Sequence, residues 1–344
     1  MVSFVSPRSC VTVFQLTLVL PTGFKTVCFN YLLTITHRSN DTRAHRLSSV
    51  PGKGESKIEV MSSRAKGKIA GLAPLPLART GSIAMEQTRA ALIVAHPGHE
   101  LCVFGWVAQL RPRVFILTDG SGRSQKARIE HTTTILDRLG ASKGSIYGRF
   151  SDTAIYSSLL NHDFNVFEQL AAEIAETIVS EELTCIVGDA WEGYNPTHDA
   201  CRLIVNAAVS MAQERCNRNI TNLELIVTRQ PNGRVATGAA QHSCVKLDSR
   251  TFAEKIAAAR AYPGLKDDVD YFLKKYSEQA FRTEYLYRAA EDPEQTWVDQ
   301  KPPYYEEHGE RRVRNGDYEQ VIRYHQHMLP LAKILLTENR IRKA

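Results

Sequence analysis

The sequence lacks several signatures. It holds seven cysteines but no Cys-x-x-Cys pair and no other spacing of the metal-binding kind. That excludes a zinc-finger or thioredoxin-like site. The odd thiol count, with Cys102, Cys185 and Cys244 in or beside apolar runs, suits a reducing compartment, so a cytoplasmic location is expected. No apolar stretch reaches the ~20 residues of a membrane span. Val11 to Leu20 comes nearest, and Pro21, Gly23 and Lys25 interrupt it. There is no GxxxxGK[ST] loop, and the first strand does not end in GxGxxG, so nucleotide-phosphate and dinucleotide readings have little support. Nor does the part after residue 85 carry a basic stripe interleaved with aromatics, and no nucleic-acid partner is expected.

What is present is a globular composition, 43% hydrophobic and 23% charged over 344 residues, enough for a substantial core. The net charge of +6 is unevenly spread. Residues 1–84 are rich in Lys and Arg, with only Asp41, Glu55 and Glu59 as acids, so the remainder is slightly acidic. Three readings fit this lead: a signal peptide, a basic organellar presequence, or residues upstream of a true start at Met85. We favour the last, because a strand begins five residues further on and needs no such lead. The expected folded domain is 85–340.

From Met85 the pattern alternates between apolar runs and helix-period segments. Strands are predicted at 90–95, 113–118, 145–147, 184–187 and 223–228, with an edge strand at 245–247. Helices are predicted at 100–109, 124–139, 162–180 and 196–216. Such alternation indicates an α/β fold, a Rossmann-like, doubly wound and mainly parallel sheet with helices on both faces. The tail reads as a helical C-terminal extension, with helices at 252–262, 267–276 and 318–336 and a polar, Pro-containing connection over 292–314. Arg282, Glu284 and Tyr285 could line a cap over the site; the alternative, which we favour, is a solvated amphipathic helix.

Chemistry concentrates where strands end. Ala91-Leu-Ile-Val-Ala95 runs into His96-Pro97-Gly98-His99-Glu100, and the fourth core strand leads to Tyr194-Asn195-Pro196-Thr197-His198-Asp199. Loops at the carboxyl ends of parallel strands gather on one edge, so His96, His99 and His198 can meet there. Three imidazoles with a water complete a catalytic zinc shell; the alternative is three surface histidines with no metal. Acids crowd the same edge: Glu100, Asp119, Asp152, Asp189, Glu192 and Asp199. Each could serve as base or orient a histidine, or could simply cap a helix or turn. The Asp119-Gly-Ser-Gly122 turn could alternatively cradle an anion on its N–H groups.

These motifs, in this order over residues 88–290, resemble the PIG-L/LmbE-like de-N-acetylases. The resemblance implies a Rossmann-like, metal-dependent hydrolase, usually with zinc, that removes acetyl from an N-acetylglucosamine-type sugar or glycoconjugate. It also implies metal ligands at His96, His99 (where the family has Asp) and His198. Two positions depart from the family. Its general-base Asp is Gly98 here, and its auxiliary His is Asn195. Asp199, Asn195, Glu192 and Asp119 are therefore the candidates for the catalytic work. A non-catalytic glycan-binding or assembly protein on the same fold is the alternative.

Overall fold

A computed structural model describes residues 88–122, 126–228, 241–290 and 302–341. The expected lead, 1–84, lies outside the described residues, as do residues 292–301 of the expected connection over 292–314.

β1 (Ala90–Val94) is buried along its whole length, which a parallel strand covered on both faces requires. It lies between β2 (Arg113–Thr118) and β4 (Cys185–Asp189) in a seven-stranded sheet of order β3-β2-β1-β4-β5-β7-β6. β3 (Ser142–Phe150) and β5 (Thr221–Leu225) continue the parallel part on either side. The last two strands, β6 (Gln241–Lys246) and β7 (Thr283–Arg288), are antiparallel to their neighbours. The sheet is thus mainly parallel and doubly wound, as expected. Its winding reverses between β1 and β4, the place where such sheets open a crevice at their carboxyl edge.

Alternation along β1 sorts two cores. Ala91, Ile93 and Ala95 face one side, packed with α3 (Asp152–Leu160), α4 (Asn165–Ser180) and α5 (Pro196–Cys216). Ala90, Leu92 and Val94 face the other, with α1 (Phe104–Leu110) and α2 (Ile129–Leu139). α4 buries Phe167, Leu170, Ile174 and Ile178 at three/four spacing, and each such side chain contributes about 1.5–3 kcal/mol of burial. α5 is buried over most of its circumference, because α4 and the C-terminal α9 (Leu329–Ile341) both cover it. This rigid helix carries His198 in its first turn.

The extension departs from expectation. Residues 283–288 form strand β7, not a solvated helix, and Glu284 is buried in it. Its carboxylate accepts the N–H groups of Gly105 (2.9 Å) and Trp106 (3.0 Å) at the start of α1 and pairs with Lys255 Nζ at 2.9 Å. Lys255 belongs to α6 (Ser249–Arg260), which is followed by α7 (Lys266–Tyr276). Arg282 stacks on Phe252 instead, 4.4 Å from its ring centre. A further helix, α8 (Tyr304–Arg314), occupies much of the expected polar connection. The single helix expected over 318–336 is instead a π-helical turn, Tyr324–Met328, leading into α9 at Leu329. Pro330, which lacks an N–H, is tolerated in that first turn and not in a helix interior. β5 ends at Leu225, short of the expected 228, because the N–H groups of Val227 and Thr228 turn to the Glu192 carboxylate at 2.8 and 3.1 Å.

Removing one partner of the buried Lys255–Glu284 pair leaves an uncompensated charge. Glu284→Ala is expected to cost about 3–5 kcal/mol. Urea unfolding measures this, and a loss below about 1 kcal/mol would mean that water reaches the pair.

Candidate active site

The crevice between β1 and β4 is tied shut at its base by Asp189, a wholly buried residue. Its Oδ2 accepts the Ala95 N–H at 2.8 Å and its Oδ1 faces His99 Nδ1 at 2.8 Å. One carboxylate thereby joins the end of β4 to the loop after β1. His96 is held in a parallel way. Its Nδ1 lies 2.9 Å from Asp152 Oδ1 and 2.8 Å from Thr118 Oγ1 at the end of β2. A carboxylate at Nδ1 selects the tautomer whose Nε2 carries the lone pair. His96 Nε2 is buried and has no hydrogen-bond partner among the described residues.

α5 delivers the third ring. Asn195 caps it, with Oδ1 accepting the Thr197 N–H at 2.8 Å, and Pro196 opens its first turn. His198 follows one turn from the cap. The three rings are mutual neighbours, with centroids 5.4 Å apart for His96–His99, 5.0 Å for His96–His198 and 4.6 Å for His99–His198. As they stand, no group of three His, Cys, Asp or Glu side chains among the described residues is gathered tightly enough to hold an ion. His198 Nδ1 is also buried without a partner. Burial, then the neighbouring His99 and His96 rings, holds the His198 pKa well below its ordinary value, so the ring stays neutral and able to donate a lone pair. Burial would raise the Asp152 carboxyl, but its hydrogen bonds to His96, the Gly122 N–H and the Thr118 hydroxyl bring it down to about 2.

A cavity of about 1290 Å³ opens over these rings, lined by His96, Gly98, His99, Asp152, Asn195 and His198 among others. Of the four residues considered for catalysis, Asn195 is the one that lines it. Asp199 is buried, and its Oδ1 accepts the N–H groups of Glu192 (3.1 Å) and Gly193 (3.2 Å). Burial raises its pKa well above the usual range. Glu192 holds the Val227–Thr228 turn. Asp119 accepts the Ser121 N–H at 2.8 Å within its own turn. In that same turn the Gly120 and Gly122 N–H groups go to Thr118 and Asp152, so the N–H groups of this turn are committed internally and do not form an anion cradle.

Two residues stand out that spacing alone did not select. Asp152 and Asp189 were two acids among six on this edge, and only the register of β4 against β1 and the path of α3 bring them to the histidines. Tyr156, one turn beyond Asp152 on α3, lines the cavity beside Asn195 and Thr197. Burial raises its pKa, so its hydroxyl keeps its proton. Cys102 also lines the cavity, but burial pushes its thiol up to about 12, which rules it out as a thiolate nucleophile near neutrality.

Gly98 has φ +106°, and a Cβ there would stand 2.4 Å from Leu265 Cδ1 and 3.7 Å from the Tyr262 ring. Its N–H donates to Glu100 Oε2 at 2.7 Å. Glu100 is itself buried and accepts from Thr132 Oγ1 at 2.8 Å, which in turn meets Tyr262 OH at 2.8 Å. The turn is therefore locked from three sides. Gly98→Ala is expected to cost about 1–3 kcal/mol through backbone strain and displacement of Leu265, and Gly98→Asp at least as much. The thermal midpoint of each variant measures this; an unchanged midpoint would mean that the turn relaxes freely.

No model of a known protein family matches the chain, and no curated protein does. Solved structures do. The chain is similar to the zinc-inhibited form of teicoplanin deacetylase Orf2, at 16% identity over 58% of this chain and 97% of that one, with a TM-score of 0.41. It is similar to the A40926 pseudoaglycone deacetylase Dbv21 at 19% identity, over 58% and 96% of the two chains, with a TM-score of 0.42. For a teicoplanin deacetylase in complex with teicoplanin, the identity is 17%, the coverage 58% and 98%, and the TM-score 0.41.

Proposed function

We propose that this chain is a metal-assisted hydrolase that removes the acetyl group from an N-acetylated, sugar-type substrate, as its sequence resemblance to the PIG-L/LmbE-like de-N-acetylases implies. The observation that carries the reading is the triangle of His96, His99 and His198 beneath a cavity, with two of the rings held at Nδ1 by Asp152 and Asp189. Those three residues would hold a divalent cation, zinc by ligand type. The donor chemistry fits, since His96 presents an unpartnered Nε2 and His198 is held neutral. When bound, such a cation polarises an amide carbonyl and lowers the pKa of coordinated water.

The chain's own groups do the rest. Asp152 and Asp189 fix ring tautomer and orientation. Asn195, whose Oδ1 caps α5, has its amide nitrogen left to donate, and the Tyr156 hydroxyl lies beside it. Together they offer neutral donors to the oxygen on which charge develops as the amide is attacked. α5 points its positive end at the same place. Asp199, Glu192 and Asp119, whose oxygens accept backbone N–H groups, brace the loops around the site.

The test is acetate release from N-acetylglucosaminides by protein reconstituted with zinc. Release should disappear with chelator and return with metal. His96→Ala and His198→Ala should abolish it, and Asp189→Asn should lower metal affinity or activity about 10–100-fold. Failure to take up any divalent metal, or acetate release indifferent to all three substitutions, would overturn the reading.

A further inference from the structure

Tyr194, Tyr271, Tyr304 and Tyr318, the exposed large hydrophobic side chains of the described residues, are 38–56% exposed, and all four line the cavity above the histidines. They come from the loop before α5, from α7, from the start of α8 and from the segment after it. Tyr194 and Tyr304 stack face to face, with centroids 4.9 Å apart and planes 9° from parallel. Single exposed aromatics are ordinary on a protein surface; convergence of four on one concavity marks a binding surface.

α7 gives an independent observation. None of its residues is buried. Val269 and Phe272 line the cavity, yet neither packs into any apolar cluster of the described core. An 11-residue helix is marginal on its own and is ordinarily held by burying its apolar face. Here Leu273 packs on the cluster around Phe252 and Ile256, while Val269 and Phe272 face the cavity. The lining beside them takes in Phe281, and α7 also contributes Asp268 and Lys275. Sugar hydroxyls set against Val269 and Phe272 would lose hydrogen bonds to water and regain none from those two side chains. At about 1290 Å³ the space also exceeds the ~300–1000 Å³ usual for drug-sized ligands, and an acetamido sugar alone would leave much of it unfilled.

We infer that the substrate is a glycoconjugate with an apolar aglycone, which lies along the Val269–Phe272 face of α7 while the acetamide reaches the three histidines. This rests on the deacetylase reading for the placement of the sugar. The tyrosines supply flat faces that take either an aliphatic chain or an aromatic ring.

Calorimetry on the full chain with methyl, butyl, hexyl and phenyl N-acetyl-β-D-glucosaminides tests it without turnover. Affinity should rise about fourfold per methylene from methyl to hexyl as apolar area is buried, and hexyl β-D-glucoside, which has no acetamide, should compete. A gain with phenyl alone would assign the wall to an aromatic aglycone, and a gain with hexyl to an aliphatic one. In Phe272→Ser the gain per methylene should fall below about twofold; Val269→Ser serves the same purpose if the first variant folds poorly. Equal affinity for methyl, hexyl and phenyl glycosides overturns the inference. Acetate measured on the same glycosides separates the two claims. Acetate release with no dependence of binding on the aglycone removes this inference alone. A chain-length gain in binding with no acetate from any glycoside removes the deacetylase reading and leaves the apolar surface.

Discussion

The buried carboxylate of Asp189 is the constraint on which the site depends. It sits where the sheet reverses its winding, at the end of β4, and it is wholly removed from water. An ion in such a place must be satisfied by neighbours with good geometry, because unpaired burial costs several kcal/mol. The Ala95 N–H and His99 Nδ1 meet that demand. The consequence is mechanical: the loop after β1 cannot move relative to β4 without stranding the carboxylate. His99 therefore has one orientation, and the separation between the two histidine loops is set by the sheet.

A second polar network locks the other side of the same loop. Glu100 receives Gly98 N–H and the Thr132 hydroxyl, and Tyr262 reaches Thr132 from the end of α6. The position that carries a carboxylate in the resembling family is thus occupied by a backbone turn packed beneath Leu265. The α6–α7 segment fills that space and at the same time builds the apolar wall of the cavity. The glycine of one loop and the segment over it pack as one unit.

Much of the fold was legible in the residues. β1 and β2, α4 and α5, and the two-faced winding follow from uninterrupted apolar runs and three/four spacing, signals long enough to resist local competition. The shorter or mixed segments did not declare themselves. Thr283–Arg288 has the charge pattern of a solvated helix, yet β5 and β6 offer it hydrogen-bonding edges, and Lys255 neutralises Glu284 inside. Val227 and Thr228 look like the end of a strand until Glu192 takes their N–H groups. At the site, the three histidines could be picked out because they follow strands at Pro-containing breaks. The roles of the six acids near them could not, since a cap, a turn brace and a histidine partner all use the same carboxylate.

By itself the sequence determined the doubly wound class and the two strand–helix loops that hold the histidines, because these depend on periodicity and on local backbone chemistry. Only the tertiary structure decided that Asp152 and Asp189, not Asp119, Glu192 or Asp199, stand behind the rings, and that four tyrosines and the face of α7 share their cavity. Those relations join residues far apart in the chain. They are set by strand register and helix packing, which no local pattern encodes.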